Sequence, residues 1–454
     1  MKTNHSPWLH QLKKDRVSEI LRSDIQTEVV IIGAGIAGMA TAFFTLKNTD
    51  KKVVILERYK LAHGATGHNA GQVTSYFERG FTSIVEEFGL ALASSAQKAI
   101  EDTWLLLDEI YTDIKSDIPF SRFIGHAGLS NKEQVLQHLK NNSLRRTAKL
   151  NIESMIISDT ADFLDTIPNE YDGLYTLAPK EEIQSILEAK TTEFIAVLSY
   201  QKGCINSALF CQEILFYLEK KYPDRFSLYE LTPISKILLR KNEVLLDAGH
   251  HTVAAEKIVL CTNGFEGFTI INDGGLEVNT RFHHMLSGTI GYMSGYLEAA
   301  NKSPTAISYL LNAHKQPTDP YFYLTRRHYD YGDNVQYNLI SVGGPDSALE
   351  NHARYSHEHE YSDEMTKEID RFVRHIYDID PKKNIEYIFT WHGLMGYTKN
   401  KIRLIGPEPK NSVLLYNLGC NGIGILPSVY GGKRISEFLS GKKMEKSIFD
   451  IPVL

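Results

Sequence analysis

Cysteine is scarce in this chain. Cys204, Cys211, Cys261 and Cys420 are the four in 454 residues, and none forms a Cys-x-x-Cys pair. That argues against a zinc site, and four cysteines over this length do not make a disulfide framework. The thiols read as reduced and mostly buried, the location as cytoplasmic, and no metal is expected. Long apolar runs are missing as well. No stretch reaches the ~18 residues of a membrane span. The first segment, MKTNHSPWLHQLKKDRVSEILRSD, lacks the apolar centre of a signal peptide. There is no basic run, and the net charge is −6, so neither nucleic acid nor a membrane span is expected. Internal repeats and low-complexity tracts are absent too.

What is present is a core. Hydrophobic residues make up 43% of the chain, and its length suits two or three domains or one domain with a second woven in. Val29–Ile32 is a β-branched run that reads as a buried parallel strand, Ile36–Leu46 as a helix, and Val53–Leu56 as a second strand. The period predicts helices over 85–115 and 208–221, a strand over 257–265, and a charged helix over 355–378. Residues 319–345 are aromatic and alternating, which predicts antiparallel strands joined near Gly332. The end of the chain reads as strand, glycine loop and a helix from Gly431.

The first strand runs into Gly33-Ala34-Gly35-Ile36-Ala37-Gly38, which is G-x-G-x-x-G opening a helix. The first glycine suits a tight turn, the second a close approach by pyrophosphate, and the third close packing of helix on strand. Phosphate is favoured at the helix N-terminus. Glu57 ends the second strand about 20 residues on, where a carboxylate accepts ribose hydroxyls, and Arg58 follows it. This predicts a dinucleotide site and leaves NAD and FAD open. A second glycine-rich stretch, His63-Gly64-Ala65-Thr66-Gly67-His68-Asn69-Ala70-Gly71-Gln72, follows at once. NAD needs no such loop. FAD, with a ring beyond the pyrophosphate, does.

At this point the chain resembles the FAD-dependent amine and amino-acid oxidases of the D-amino-acid oxidase type, which include glycine, sarcosine and γ-glutamylputrescine oxidases. The 64–72 stretch is similar to their G-A-S-G-R-N-G-G-Q. Cys261-Thr262-Asn263-Gly264 resembles A-T-N-G, Trp391 to Thr398 resembles W-x-G-x-x-x-x-T, and Leu404 to Pro407 resembles P-x-I-G-P. Gly419 to Gly424 resembles G-x-N-G-x-G, and Gly203 to Asn206 and Ser6-Pro7-Trp8 also have counterparts. The departures are Ala70 for glycine, Arg403 for proline, and Asn400 or Lys401 where an acid is usual.

The resemblance implies an α/β fold, α+β overall: a Rossmann-like FAD-binding domain of the GR2 type with an inserted antiparallel-sheet substrate domain. The expected division is a leader at 1–24, FAD-binding parts at 25–115, 195–265 and 385–454, and substrate parts at 116–194 and 266–384. FAD would be held by Gly33, Gly35 to Gly38, Glu57, Arg58, Ala65 to Gln72, Thr262 to Gly264, Trp391, Gly393, Gly419 and Asn421 to Gly424. His68 stands where related dehydrogenases carry the flavin on histidine, so a covalent link and a plain hydrogen bond are both open. Backbone donors at 421–424 would face the flavin N1–O2 edge.

The implied reaction is oxidation of a C–N bond in a small amine or amino acid, with O2 or another carrier as acceptor. Hydride would pass to flavin N5, and the imine would then hydrolyse. Arg326 would grip a substrate carboxylate, Tyr323 would wall the pocket, and His283 or His284 would act as base or oxygen-activating charge. Two alternatives stand beside this: an NAD-dependent dehydrogenase, and a flavin-binding sensor or assembly protein without turnover.

Overall fold

Val29, Val30 and Ile31 have no exposed surface. Branched side chains at successive buried positions favour an extended strand covered on both faces. In the computed structural model that strand, Ile25–Ile32, is central in a nine-stranded sheet. The structure describes residues 4–452 apart from 15, 116–117, 265–266, 274–277, 279–285, 312–321 and 351–354. Parallel neighbours flank the strand. Val53–Leu56 and then Phe226–Tyr229 lie on one side, His251–Leu260 and then Asn411–Leu418 on the other. Antiparallel Val244–Ala248 and Lys236–Leu239 extend the sheet from the 251–260 strand. Ile36–Asn48 is buried from Ile36 through Leu46, and it packs against the helices Ser207–Lys221 and Ile425–Leu439.

A second sheet has ten strands and is mostly antiparallel. Its centre runs through Leu286–Ala299, Gln336–Ala348, Phe322–Asp330 and Thr305–Leu310. The turn at Gly332 has φ +94°, and its two strands pair antiparallel as the alternation predicts. One apolar core joins the two sheets. Val29 and Ile31 belong to the first, Ile205, Met293 and Trp391 to the second, and Trp8 packs in the same cluster.

Several elements differ from the sequence reading. Gly89, at φ +79°, divides the 85–115 helix into Phe81–Phe88 and Leu90–Ile114. The charged helix begins only at Asp363, behind the cap residue Ser362. The closing helix starts at Ile425, six residues before Gly431. Pro427 hides that start in the sequence, yet proline is tolerated in a first turn whose N–H groups have no intrahelical partner. Gln72–Thr74, Ala196–Ile205 and Phe389–Thr398, where no strand is read from the sequence, pair in the second sheet. No helix among the described residues is long and apolar enough to cross a membrane.

Candidate active site

The carboxyl ends of the parallel strands open into one cavity of about 1310 Å³. Ligands of open α/β sheets occupy this position. Single-ligand pockets run to roughly 300–1,000 Å³, so the space exceeds what a small substrate needs. Its wall passes from Gly33, Gly35 and Glu57 across the 63–72 loop to Tyr323, Gly344 and Leu198 of the second sheet.

The dinucleotide turn meets its backbone requirements. Gly33 has φ +106°, and a Cβ there would stand 2.7 Å from the Cys261 carbonyl oxygen. A Cβ on Gly38 would stand 1.9 Å from the Gly33 oxygen, so nothing larger than glycine fits. Glu57 accepts the Ala34 N–H at 2.8 Å and the Tyr59 N–H at 2.9 Å. Burial pushes its carboxyl above the usual range against those two bonds. Two helices, Ile36–Asn48 and Ile425–Leu439, begin at glycines without a side-chain cap and without an acid in the first turn. Ile36 and Ile425 both line the cavity. Such ends suit anions and developing negative charge. The residues present therefore fit a dinucleotide that carries a further ring.

The 63–72 loop is fixed from outside itself. Thr66 Oγ1 accepts the Ile36 N–H at 2.9 Å, tying the loop to the dinucleotide turn. Ser207 Oγ donates to the Thr66 carbonyl at 2.6 Å. Trp8 Nε1 and Trp391 Nε1 both donate to the Asn69 carbonyl, at 2.6 and 3.1 Å. Ser6 Oγ donates to the Gly67 carbonyl. Residues 6–8 thus clamp the back of the loop.

His68 lines the cavity, and burial pulls its imidazole down to about 4. Nδ1–H donates to the Gly64 carbonyl at 2.9 Å. A carbonyl only accepts, so this bond leaves Nε2 as the nitrogen with the lone pair. The His357 ring stacks on it at 5.8 Å.

A knot of amides closes the far side. Asn263 Nδ2 donates to the Leu394 carbonyl at 3.1 Å, and its Oδ1 accepts the Cys420 N–H at 2.9 Å. Asn421 Oδ1 accepts the Thr398 N–H at 2.8 Å. The loop from Gly419 to Gly424 is thereby held against the 389–398 strand.

Most of the predicted site residues meet at this cavity. Gly33, Gly35 to Ala37, Glu57, Arg58, Ala65, Thr66, His68 to Gln72, Thr262, Asn263, Gly393, Ile423, Gly422, Gly424 and Tyr323 line it. Others sit behind the wall. Gly38 packs on Gly33, Gly67 on Leu9 and Ala62, and Gly264 on Leu286. Gly419 accepts from Arg403 and Asn421. Trp391 is fully buried, edge-on to Trp8 at 6.2 Å, and acts through Asn69.

Arg326 is a correction. Its guanidinium is spent on Glu188 in a bidentate pair at 2.7 and 2.7 Å and on the Ser303 carbonyl at 2.8 Å, and it does not line the cavity. Arg327 is buried over the Trp8 ring at 5.0 Å. His283 and His284 lie outside the described residues. Trp8, Ser6 and Arg403 were missed as site residues. The motif resemblance at Ser6-Pro7-Trp8 was the available signal for the first two.

The model of the FAD dependent oxidoreductase family matches residues 28–438. The chain belongs to that family. It is an FAD-dependent oxidoreductase, and the NAD-dependent alternative falls with that finding. Among curated relatives, a protein named as a Rieske 2Fe-2S iron–sulfur protein, YhfW of Bacillus subtilis, is 31% identical over 97 residues, 20% of this chain and 19% of that one. The match thus spans about a fifth of that relative's length. Among solved structures, glycine oxidase from Geobacillus kaustophilus superposes with TM-score 0.66 at 16% identity, covering 94% of this chain and 98% of that one. L-proline dehydrogenase from P. horikoshii gives 0.65 at 15% identity, with 93% and 95% covered. At these identities the likeness to this family's members is one of fold.

Proposed function

We propose that this chain oxidises a C–N bond of a small amine, with FAD lying along the cavity from Gly33 to the 419–424 loop. The observation that carries the reading is that one cavity joins the dinucleotide turn to the second sheet. The names of two fold neighbours, a glycine oxidase and an L-proline dehydrogenase, agree with C–N chemistry. When bound, FAD supplies the two-electron acceptor, and the protein supplies position and field. Gly33 to Ala37 and the first helix end hold the pyrophosphate, and Glu57 takes the ribose. The 63–72 loop lies along the ring and the 419–424 loop faces its N1–O2 edge. His68, with Nε2 free of the Gly64 bond, is the residue placed for a covalent link.

The first sheet and the helices on it form the dinucleotide part, and the second sheet forms the substrate part. The strands 72–74, 196–205 and 389–398 are contributed to the latter from segments otherwise in the former. In the substrate part the wall carries Glu78, Glu153 and Asp346. The two arginines on the same wall, Arg79 and Arg145, are already paired with Glu87 and Glu101. A wall of this kind favours an amine head over a carboxylate, and Arg326 is not available to hold a carboxylate. Tyr323 presents its ring from the 322–330 strand and orients the substrate by contact.

The test is a visible spectrum of the purified protein, before and after acid precipitation, followed by anaerobic mixing with amines and amino acids. Flavin bands that bleach with one amine class support the reading, and yellow colour kept in the pellet supports the link at His68. A flavoprotein that no C–N substrate bleaches would instead favour a sensor or assembly role. Reoxidation followed with an oxygen electrode separates O2 from another carrier.

A further inference from the structure

Arg403 is buried, 5% exposed, and lines the cavity. Its Nε and Nη2 donate to the side-chain and main-chain oxygens of Asn417 at 2.7 and 2.8 Å, and Nη1 donates to the Gly419 carbonyl at 3.3 Å. All these partners are neutral. Among the described residues no carboxylate lies within ion-pair distance of it. Two other buried arginines have a carboxylate, Arg145 with Glu101 and Arg326 with Glu188. Arg327 has none among the described residues, but it is buried over the Trp8 ring and does not line the cavity; Arg403 does. A guanidinium taken out of water without a counter-charge is expensive, and proteins rarely keep one unless another negative charge arrives. Burial pulls Arg403 down to about 10, and it remains a cation at neutral pH.

The charge also has a direction. Gly419, which Arg403 holds, opens the loop that continues through Gly422 and Gly424 to the uncapped end of helix Ile425–Leu439. The guanidinium and the helix dipole therefore bring positive potential to the same side of the cavity. Hydride leaving a neutral amine carbon carries two electrons and one proton. The substrate is left as a cationic imine, and one negative charge is placed on the acceptor. A negative charge on that side of the cavity would complement Arg403.

We propose that Arg403 is a tuning residue whose standing positive charge makes the bound FAD a stronger electron acceptor and favours anionic adducts of its ring. The proposal rests on the placement of FAD given above. Arg403 reaches no substrate and acts by its field, through preorganisation.

The measurement uses the purified holoprotein: a dye-coupled reductive titration for the midpoint potential, and a sulfite titration for the anionic ring adduct. Arg403→Gln should weaken sulfite binding at least tenfold and lower the two-electron midpoint by about 30 mV for each tenfold. Arg403→Lys, which keeps the charge, should stay within threefold of the unmodified protein. Unchanged values in Arg403→Gln overturn the proposal, as does a loss in Arg403→Lys equal to that in Arg403→Gln. If Arg403→Gln is recovered without flavin, the unmodified protein decides. Bleaching by sulfite supports the proposal, and resistance at saturating sulfite overturns it. Unmodified protein without flavin bands overturns the placement of FAD itself, and the spectrum alone tells that failure apart.

Discussion

Two glycine-rich stretches face the same cavity and are held in opposite ways. The turn at 33–38 is fixed by its own neighbours: the strand before it, the helix after it and Glu57 of the adjacent strand. The loop at 63–72 is fixed by Ser6, Trp8, Ser207 and Trp391, which are up to 322 residues away in the chain. The first arrangement is mostly local and tolerates no side chain at Gly33 or Gly38. The second is assembled, and its precision depends on distant packing.

The sharpest way to break this comparison is at Gly38. Gly38→Val would place methyl carbons into the Gly33 carbonyl, a backbone contact with no flexible partner to yield. We expect protein purified without flavin absorbance. A yellow Gly38→Val protein would show that the turn does not hold the pyrophosphate.

The next largest effect should come from the assembled loop. Trp8 has no exposed surface, and truncating such a residue costs about 3–5 kcal/mol. Trp8→Ala should lose that much in denaturant unfolding and also release FAD more readily on dilution. If it lost stability and kept FAD as tightly, the clamp would be packing alone.

His68 sharpens the contrast through pH. Its imidazole sits at about 4 in the folded chain against an ordinary 6.5. The folded state thus resists a proton that the unfolded state accepts. Stability is full above pH 6.5 and falls as the pH drops from 6.5 toward 4. The loss due to His68 is about 3 kcal/mol. His68→Asn should flatten that slope in apoprotein unfolding curves, without abolishing it, because burial also lowers His63, His357 and His392.

The smallest effect is expected at Arg326, remote from both stretches. Arg326 is buried while its partner Glu188 keeps 29% of its side chain exposed, so Arg326→Gln should cost about 1–2 kcal/mol after screening is allowed for. Flavin content and the KM for substrate should be unchanged. A rise in KM confined to substrates bearing a carboxylate would restore a role for Arg326 as anchor.

The same contrast explains what was readable in the sequence. Strand, turn, helix and strand over 25–56 are local, and each follows from β-branched runs and glycines within a few residues. The 419–424 loop and the hairpin at Gly332 are local in the same sense. The partner of Arg326 is not, since Glu188 lies 138 residues away and nothing at the Tyr323–Arg327 stretch points to it. Strand Ala196–Ile205 carries Ser-Tyr-Gln-Lys-Gly at its centre, which hides it in the sequence, and its place follows from pairing with a strand distant in the chain. The start of the closing helix was hidden by Pro427, a residue that signals a break in most contexts and costs little in a first turn.

The N-terminal clamp has a consequence for how the molecule is made. His5 pairs with Thr390, and Asn4 Oδ1 accepts the His392 N–H across 388 positions of chain. During synthesis, Trp8 leaves the ribosome hundreds of residues before Trp391 exists. The 63–72 loop therefore cannot reach its final shape until nearly the whole polypeptide has emerged, and high-separation contacts of this kind form late. On the proposed placement of FAD, cofactor capture becomes one of the last events in maturation, and a fusion placed ahead of Asn4 would sit directly on the step that completes it.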